Sequence, residues 1–145
     1  MIQLNNYIQE KLYIGKNFKS HKYFPTNRDE LKDVVYSLLD GQKSWRGEVI
    51  DLNCINTSEI TDMHGLFKNL GDLRKIEISA WDTSKVRDMG SMFMGCNNIE
   101  INVSNWDVHC VEDMEGMFYG CTNFNNDLSK WDVKNVKYFT DMFAA

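Results

Sequence analysis

Apolar residues follow two rhythms along this chain. Up to Gly41 the rhythm is helical. Leu4, Ile8 and Leu12, with Tyr7 beside them, fall on one face and predict a helix over 3–14 that stops at Gly15. Leu31, Val34, Val35, Leu38 and Leu39 draw a second helical stripe. Thr26 or Asn27 stands where a cap is wanted, and Asp29 and Glu30 complement the dipole of the first turn. Gly41 sits where a left-handed residue ends a helix. Between the two helices, Lys16 to Pro25 is basic and aromatic and predicts irregular backbone, with Pro25 disfavouring helix at Phe24.

From Val49 onward the rhythm changes to a period of twenty-five residues. Trp81-Asp82 returns as Trp106-Asp107 and Trp131-Asp132, and Met92-Phe93 as Met117-Phe118 and Met142-Phe143. Val86, Val111 and Val136 lie between them, each followed three residues on by Met89, Met114 or Phe139. A worn copy precedes these: Ile60, Asp62, Met63 and Phe67 match Val86, Asp88, Met89 and Phe93 at a spacing of twenty-six. Each copy opens on a stretch that alternates at period two, Ile50-Asp51-Leu52, Ile76-Glu77-Ile78 and Ile101-Asn102-Val103, with Asn126-Asp127-Leu128 in the same phase. Alternation predicts a strand. The Val/Met and Met-Phe positions predict a bent segment or about two turns of helix on the far side. Gly95-Cys96 and Gly120-Cys121 close their copies.

A fixed period in this range predicts an α/β repeat solenoid. The expected fold is a leucine-rich-repeat-like parallel β-ladder of about four coils over 49–145, with residues 1–48 as an N-terminal helical cap and Trp45 near the joint. Equal positions then stack about 4.8 Å apart, as strands do, into columns of Trp, Met, Phe and Cys. The Asp after each Trp is expected to accept from nearby backbone N–H groups, as in an Asx turn.

The run Ile-x-Ser-x-Trp-Asp-x-Ser-x-Val-x-x-Met-x-x-Met-Phe-x-Gly-Cys, read over Ile78 to Cys96, Val103 to Cys121 and Leu128 to Phe143, resembles the BspA-type leucine-rich repeat. The leader with Phe24-Pro25 before a Glu-Leu helix resembles that of the short members. The resemblance implies a curved parallel-β solenoid and a role in protein–protein interaction or adhesion, with no catalytic residue to carry over. The first copy departs from the pattern, with Ile55 in place of Trp. The last copy stops at Phe143-Ala144-Ala145. It is expected to expose Trp131, Phe139 and Phe143, and end-to-end pairing of two chains is expected there ahead of cover by a partner or fraying of the last coil.

Charge and chemistry narrow the function. The net charge is −5, with seven Lys/Arg against five Asp/Glu in residues 1–45 and nine against sixteen in 46–145. An acidic repeat face disfavours a nucleic-acid backbone as partner and favours a basic protein surface. No apolar run approaches membrane-spanning length and the N-terminus lacks a secretory pattern, so a cytoplasmic location is expected. Cys54, Cys96, Cys110 and Cys121 then stay reduced and are expected to be small buried apolar groups. No HExxH, Cys/His cluster or phosphate loop is present, and His109 and Cys110, adjacent in sequence, are expected to point apart. No metal, cofactor or catalytic residue is expected. The informative positions vary while their neighbours repeat. These are Asp51, Glu77, Asn102 and Asp127, then Ala80, Asn105 and Lys130, then Lys85, His109, Glu112, Lys134, Lys137 and Tyr119 around the turn. The expectation is a non-catalytic scaffold that presents Asp51, Glu77, Asn102, Asp127, Asn105 and Lys130 to a protein partner. A phage or mobile-element inhibitor of a host protein is one version of it. A surface adhesin module and, further off, a metal protein or enzyme are the alternatives.

Overall fold

The computed structural model describes residues 21–41 and 49–145. The first expected helix and Trp45 lie outside them. The second helix is present as α1, Arg28–Gly41. The Asn27 carboxamide accepts from the Glu30 N–H at 2.9 Å, and the Glu30 carboxylate reaches back to the Thr26 N–H at 2.7 Å. These reciprocal bonds satisfy donors that a helix start leaves open. Leu31, Val34, Val35 and Leu39 are buried, in one core with the repeat residues. Gly41 is the last helical residue rather than a left-handed residue beyond the end. Arg28 Nε donates to the His64 carbonyl at 2.6 Å and pins the helix to the first repeat.

The expected solenoid with a parallel β-ladder of about four coils is not what forms. Among the described residues there is one helix, and regular strand is limited to β1, Ile50–Asp51, and β2, Ile76–Glu77. These pair in parallel, Ile50 with Ile76 and Asp51 with Glu77. Beyond them, single parallel bridges join Lys75 to Glu100 and Asp62, Asp88, Asp113 and Tyr138 in succession. Side chains explain why the strand edge lapses. The Asn126 carboxamide accepts from Val103 N–H at 2.7 Å and donates to Ile101 O at 2.8 Å. Polar side chains thus take backbone groups that a ladder would have used.

The far side of each repeat is neither strand nor helix. Leu66 N–H donates to Met63 O and Leu70 N–H to Phe67 O. Met92 to Met89, Cys96 to Phe93, Met117 to Met114 and Cys121 to Phe118 repeat the same two turns. The third residue of each turn has positive φ: Gly65, Ser91, Gly116 and Asp141 in the first turn, Asn69, Gly95 and Gly120 in the second. A type II turn requires that conformation there. The i, i+3, i+4 spacing of Met89, Met92 and Phe93 imitates a helix because the first and last residues of consecutive turns both face inward.

Neighbouring repeats are tied through these turns. Met63, Gly65, Phe67 and Asn69 donate their N–H groups to the carbonyls of Asp88, Gly90, Met92 and Met94. Met89, Ser91, Phe93 and Gly95 donate likewise to Asp113, Glu115, Met117 and Tyr119. Phe67, Phe93, Phe118 and Phe143 stack at 5.3, 5.6 and 5.7 Å between ring centres, and Trp81 stacks on Trp106 at 6.3 Å. These separations exceed the strand spacing expected from the sequence. Each of the three repeat indoles sends its N–H back one repeat, Trp81 to Leu52 O at 2.9 Å, Trp106 to Ile78 O and Trp131 to Val103 O at 3.0 Å.

Candidate functional site

The expected partner-facing residues lie along the interrupted strand edge. Asp51 and Glu77 are in register, with the apolar residues on either side of each buried. Asn102 and Asp127 hold the equivalent place in the next repeats, and Asn105 and Lys130 follow one step on, all exposed. Three of the four column residues also have a local task. Asp51 Oδ1 accepts from Asn53 N–H, Asn102 Oδ1 from Ser104 N–H and Asp127 Oδ1 from Ser129 N–H. The Ser129 N–H holds the Asp127 carboxyl below its ordinary range. Glu77 has no such bond, so its carboxylate is the member of the column not committed to a turn.

The Asp after each Trp behaves as expected. Asp82, Asp107 and Asp132 accept from the N–H of Ser84, His109 and Lys134 at 3.0, 3.1 and 3.2 Å. The varied turn residues form pairs across repeats: Lys85 with Glu59 at 2.9 Å, and Glu112 with Lys137 at 2.7 Å and Arg87 at 3.4 Å. Lys137 holds the Glu112 carboxyl below its usual range. Such exposed pairs contribute little to stability.

One arrangement departs from the sequence reading. His109 and Cys110 do not point apart. His109 Nε2 lies 3.2 Å from Cys110 Sγ, and His109 Nδ1 lies 2.6 Å from Asp107 Oδ1. The turn brings this about, because a carboxylate that caps the residue two places on also reaches that residue's ring. The His109 ring in turn holds the Asp107 carboxyl below its ordinary range. Cys110 borders an open cleft of about 410 Å³ with Arg87, Glu112, Lys134, Asn135 and Lys137. The other cysteines differ. Cys96 is buried and Cys121 partly so, and burial pushes their thiols up to about 12 and about 11. Their Sγ–H groups donate to Phe67 O and Phe93 O, both at 3.0 Å. Cys54 and Cys110 are likewise only partly buried, so full burial as expected holds for Cys96 alone. Among the described residues no three His, Cys, Asp or Glu side chains form a metal-sized cluster. No helix among them is long and apolar enough to cross a membrane.

The end face of the last repeat is apolar. Phe139 is 64% and Phe143 60% exposed, as the sequence suggests, but Trp131 is only 8% exposed. Its ring packs on Phe118 at 6.4 Å while its N–H is spent on Val103 O.

Residues 37–145 match the family model described as "Mycoplasma protein of unknown function, DUF285". The chain belongs to that family. The match begins inside α1 and takes in all the repeats, so the family's sequence pattern spans the last turns of the helix as well as the periodic region. No curated protein and no solved structure matches.

Proposed function

We propose that this family member is a non-catalytic cytoplasmic scaffold that docks a protein partner on the acidic edge formed by Asp51, Glu77, Asn102 and Asp127, flanked by Asn105 and Lys130. The observation that carries the reading is a contrast between neighbours. Ile50, Leu52, Ile76, Ile78 and Val103 are buried and nearly invariant in type, while the column beside them, Asp51, Glu77, Asn102 and Asp127, is exposed or, at Glu77, partly so, and changes between Asp, Glu and Asn. A fixed frame with free outward positions is what recognition needs. The surplus of carboxylates in residues 46–145 suits a basic partner surface. The likeness of the repeat motif to BspA-type repeats supports the same class of role, and masking of a host protein by a mobile-element product is its most specific version. The four free thiols suit a reducing compartment.

The test compares wild type with Glu77→Lys/Asp127→Lys in affinity capture from the native host, with circular dichroism confirming that both fold. Loss of one stoichiometric protein from the double variant is the expected result. An identical captured set, or a metal bound stoichiometrically to purified protein, would overturn the reading.

A second contact is favoured by the apolar end. Met114, Leu128, Trp131, Val133, Phe139 and Phe143 line a groove of about 360 Å³, and two copies meeting there would cover exposed aromatic surface. Sedimentation at high micromolar concentration should show a dimer that Phe143→Glu dissociates. A wild-type monomer would dismiss it.

A further inference from the structure

We propose that Cys110 is a nucleophilic thiol, activated by His109 and oriented through Asp107, that opens into a cation-lined cleft and forms mixed disulfides with small anionic disulfides. The proposal concerns stoichiometric modification and is independent of the interaction reading.

The position of His109 is held by Ser84 one repeat earlier and Lys134 one repeat later, and that of Cys110 by Lys85 and Asn135. All three turns are closed by the same carboxylate, Asp82, Asp107 or Asp132. A fixed turn therefore carries an imidazole and a thiol in this one copy. Both neighbours hold it in place. The Thr83 hydroxyl donates to Asp107 O at 2.9 Å, and Asn135 Nδ2 donates to His109 O at 2.6 Å. With Nδ1–H donated to the Asp107 carboxylate, the lone pair on Nε2 faces Cys110 Sγ across 3.2 Å. A nucleophile, a base and a group that orients the base are then in contact, the order that thiol activation requires.

The cleft selects the electrophile. Arg87, Lys134 and Lys137 border it against a single carboxylate, Glu112. Glu112 answers Arg87 and Lys137, and Lys134 is answered from outside by Asp132 at 3.4 Å. A small disulfide bearing carboxylates meets this surface favourably, and a cationic one does not. In the reaction the Cys110 proton passes to His109 Nε2. The thiolate then attacks one sulfur of the disulfide, the S–S bond breaks, and the departing thiolate takes the proton from His109. The products are one protein-bound mixed disulfide and one free thiol, with no further oxidant.

The experiment incubates the intact chain at neutral pH with oxidised glutathione, or with cystamine as the cationic control, and follows adduct formation at each cysteine by peptide mass mapping. Cys110 should be modified first, and faster by the anionic reagent. His109→Gln should slow it about tenfold, as expected when a thiol loses the base that accepts its proton. Asp107→Asn, which keeps the turn acceptor but loses the charge, should slow it less, and circular dichroism should confirm that the variant folds. Lys134→Glu should reverse the reagent preference. Modification of Cys54 or Cys121 as fast as Cys110, or an unchanged rate in His109→Gln, would overturn the proposal.

Discussion

Ser91 and Asp141 hold φ near 53° and 55°, at places where Gly65 and Gly116 stand in the other copies. A side chain in the left-handed region costs about 1–2 kcal/mol, and glycine removes that cost at the expense of a freer unfolded chain. Gly116→Ala should therefore destabilise by about 1–2 kcal/mol, read from denaturant midpoints. Ser91→Gly should be neutral or stabilising. A stabilised Gly116→Ala would mean the turn is not left-handed at that residue. This variation is also why the sequence left the far side open between a bent segment, which forms, and two turns of helix, which do not. A glycine repeated in all four copies would have marked a turn, but only Gly65 and Gly116 are glycine, and Ser91 and Asp141 share their backbone conformation without sharing the residue. The Asp-capped corners were legible, because Asp82, Asp107 and Asp132 are one residue type with one local partner two positions on. The His109–Cys110 contact was not, since it depends on how the turn rotates the ring.

At the scale of the element, Asn126 shows how a motif misleads. It occupies the place of Ile50, Ile76 and Ile101, so Asn126→Leu brings the fourth copy closer to the shared pattern. It also removes the partners of Val103 N–H and Ile101 O. Leaving such groups unsatisfied costs about 1–3 kcal/mol, and the variant should be destabilised by that order in chemical unfolding. A gain in stability would show that a backbone ladder re-forms once the side chain is gone. The far side behaves differently, because its turns are held by packing. Phe93 lies between Phe67 and Phe118, and Phe93→Ala should cost about 3–5 kcal/mol. The strands were overestimated from alternation alone: Ile101 is half-buried, Asn102 exposed and Val103 buried, but period two records which side chains face inward, and here turns satisfy it as well as strands do.

At the scale of the molecule, two global readouts follow from how these parts add up. The first is the pH window. Asp107, Glu112 and Asp127 have carboxyls lowered from 3.8, 4.5 and 3.8. Their contribution is present above those values and is lost as pH falls through the still lower values of the folded state. Cys96 and Cys121 are raised from 9.0 to about 12 and about 11. Their contribution is present below 9.0 and lost as pH rises through those values. The melting temperature should be flat from pH 5 to about 9, fall gently in acid because the carboxylates are exposed, and fall more steeply in base. Serine at Cys96 and Cys121 should blunt the alkaline fall, whereas an unchanged curve would assign it elsewhere. The second readout is direction. Along the turn side the N–H groups of each repeat point to the carbonyls of the next, from Met63 and Phe67 through Met89 and Phe93 to Met114 and Phe118, which donates to Met142 O. One end of this succession presents carbonyls, and there the Arg28 side chain meets His64 O. The other presents the N–H groups of Phe139, Asp141 and Phe143, which have no partner among the described residues. A symmetric pair of chains joined at that end brings donor to donor, so only the aromatic surface of Phe139 and Phe143 can hold it. Hydrogen exchange should therefore protect the amides of Phe67, Phe93 and Phe118 and leave those of Phe139, Asp141 and Phe143 fast, even at high micromolar concentration, where the proposed symmetric pairing would be tested. Slow exchange at all three in the dimer would mean that carbonyls from a second chain complete the series, and that the pairing is not symmetric.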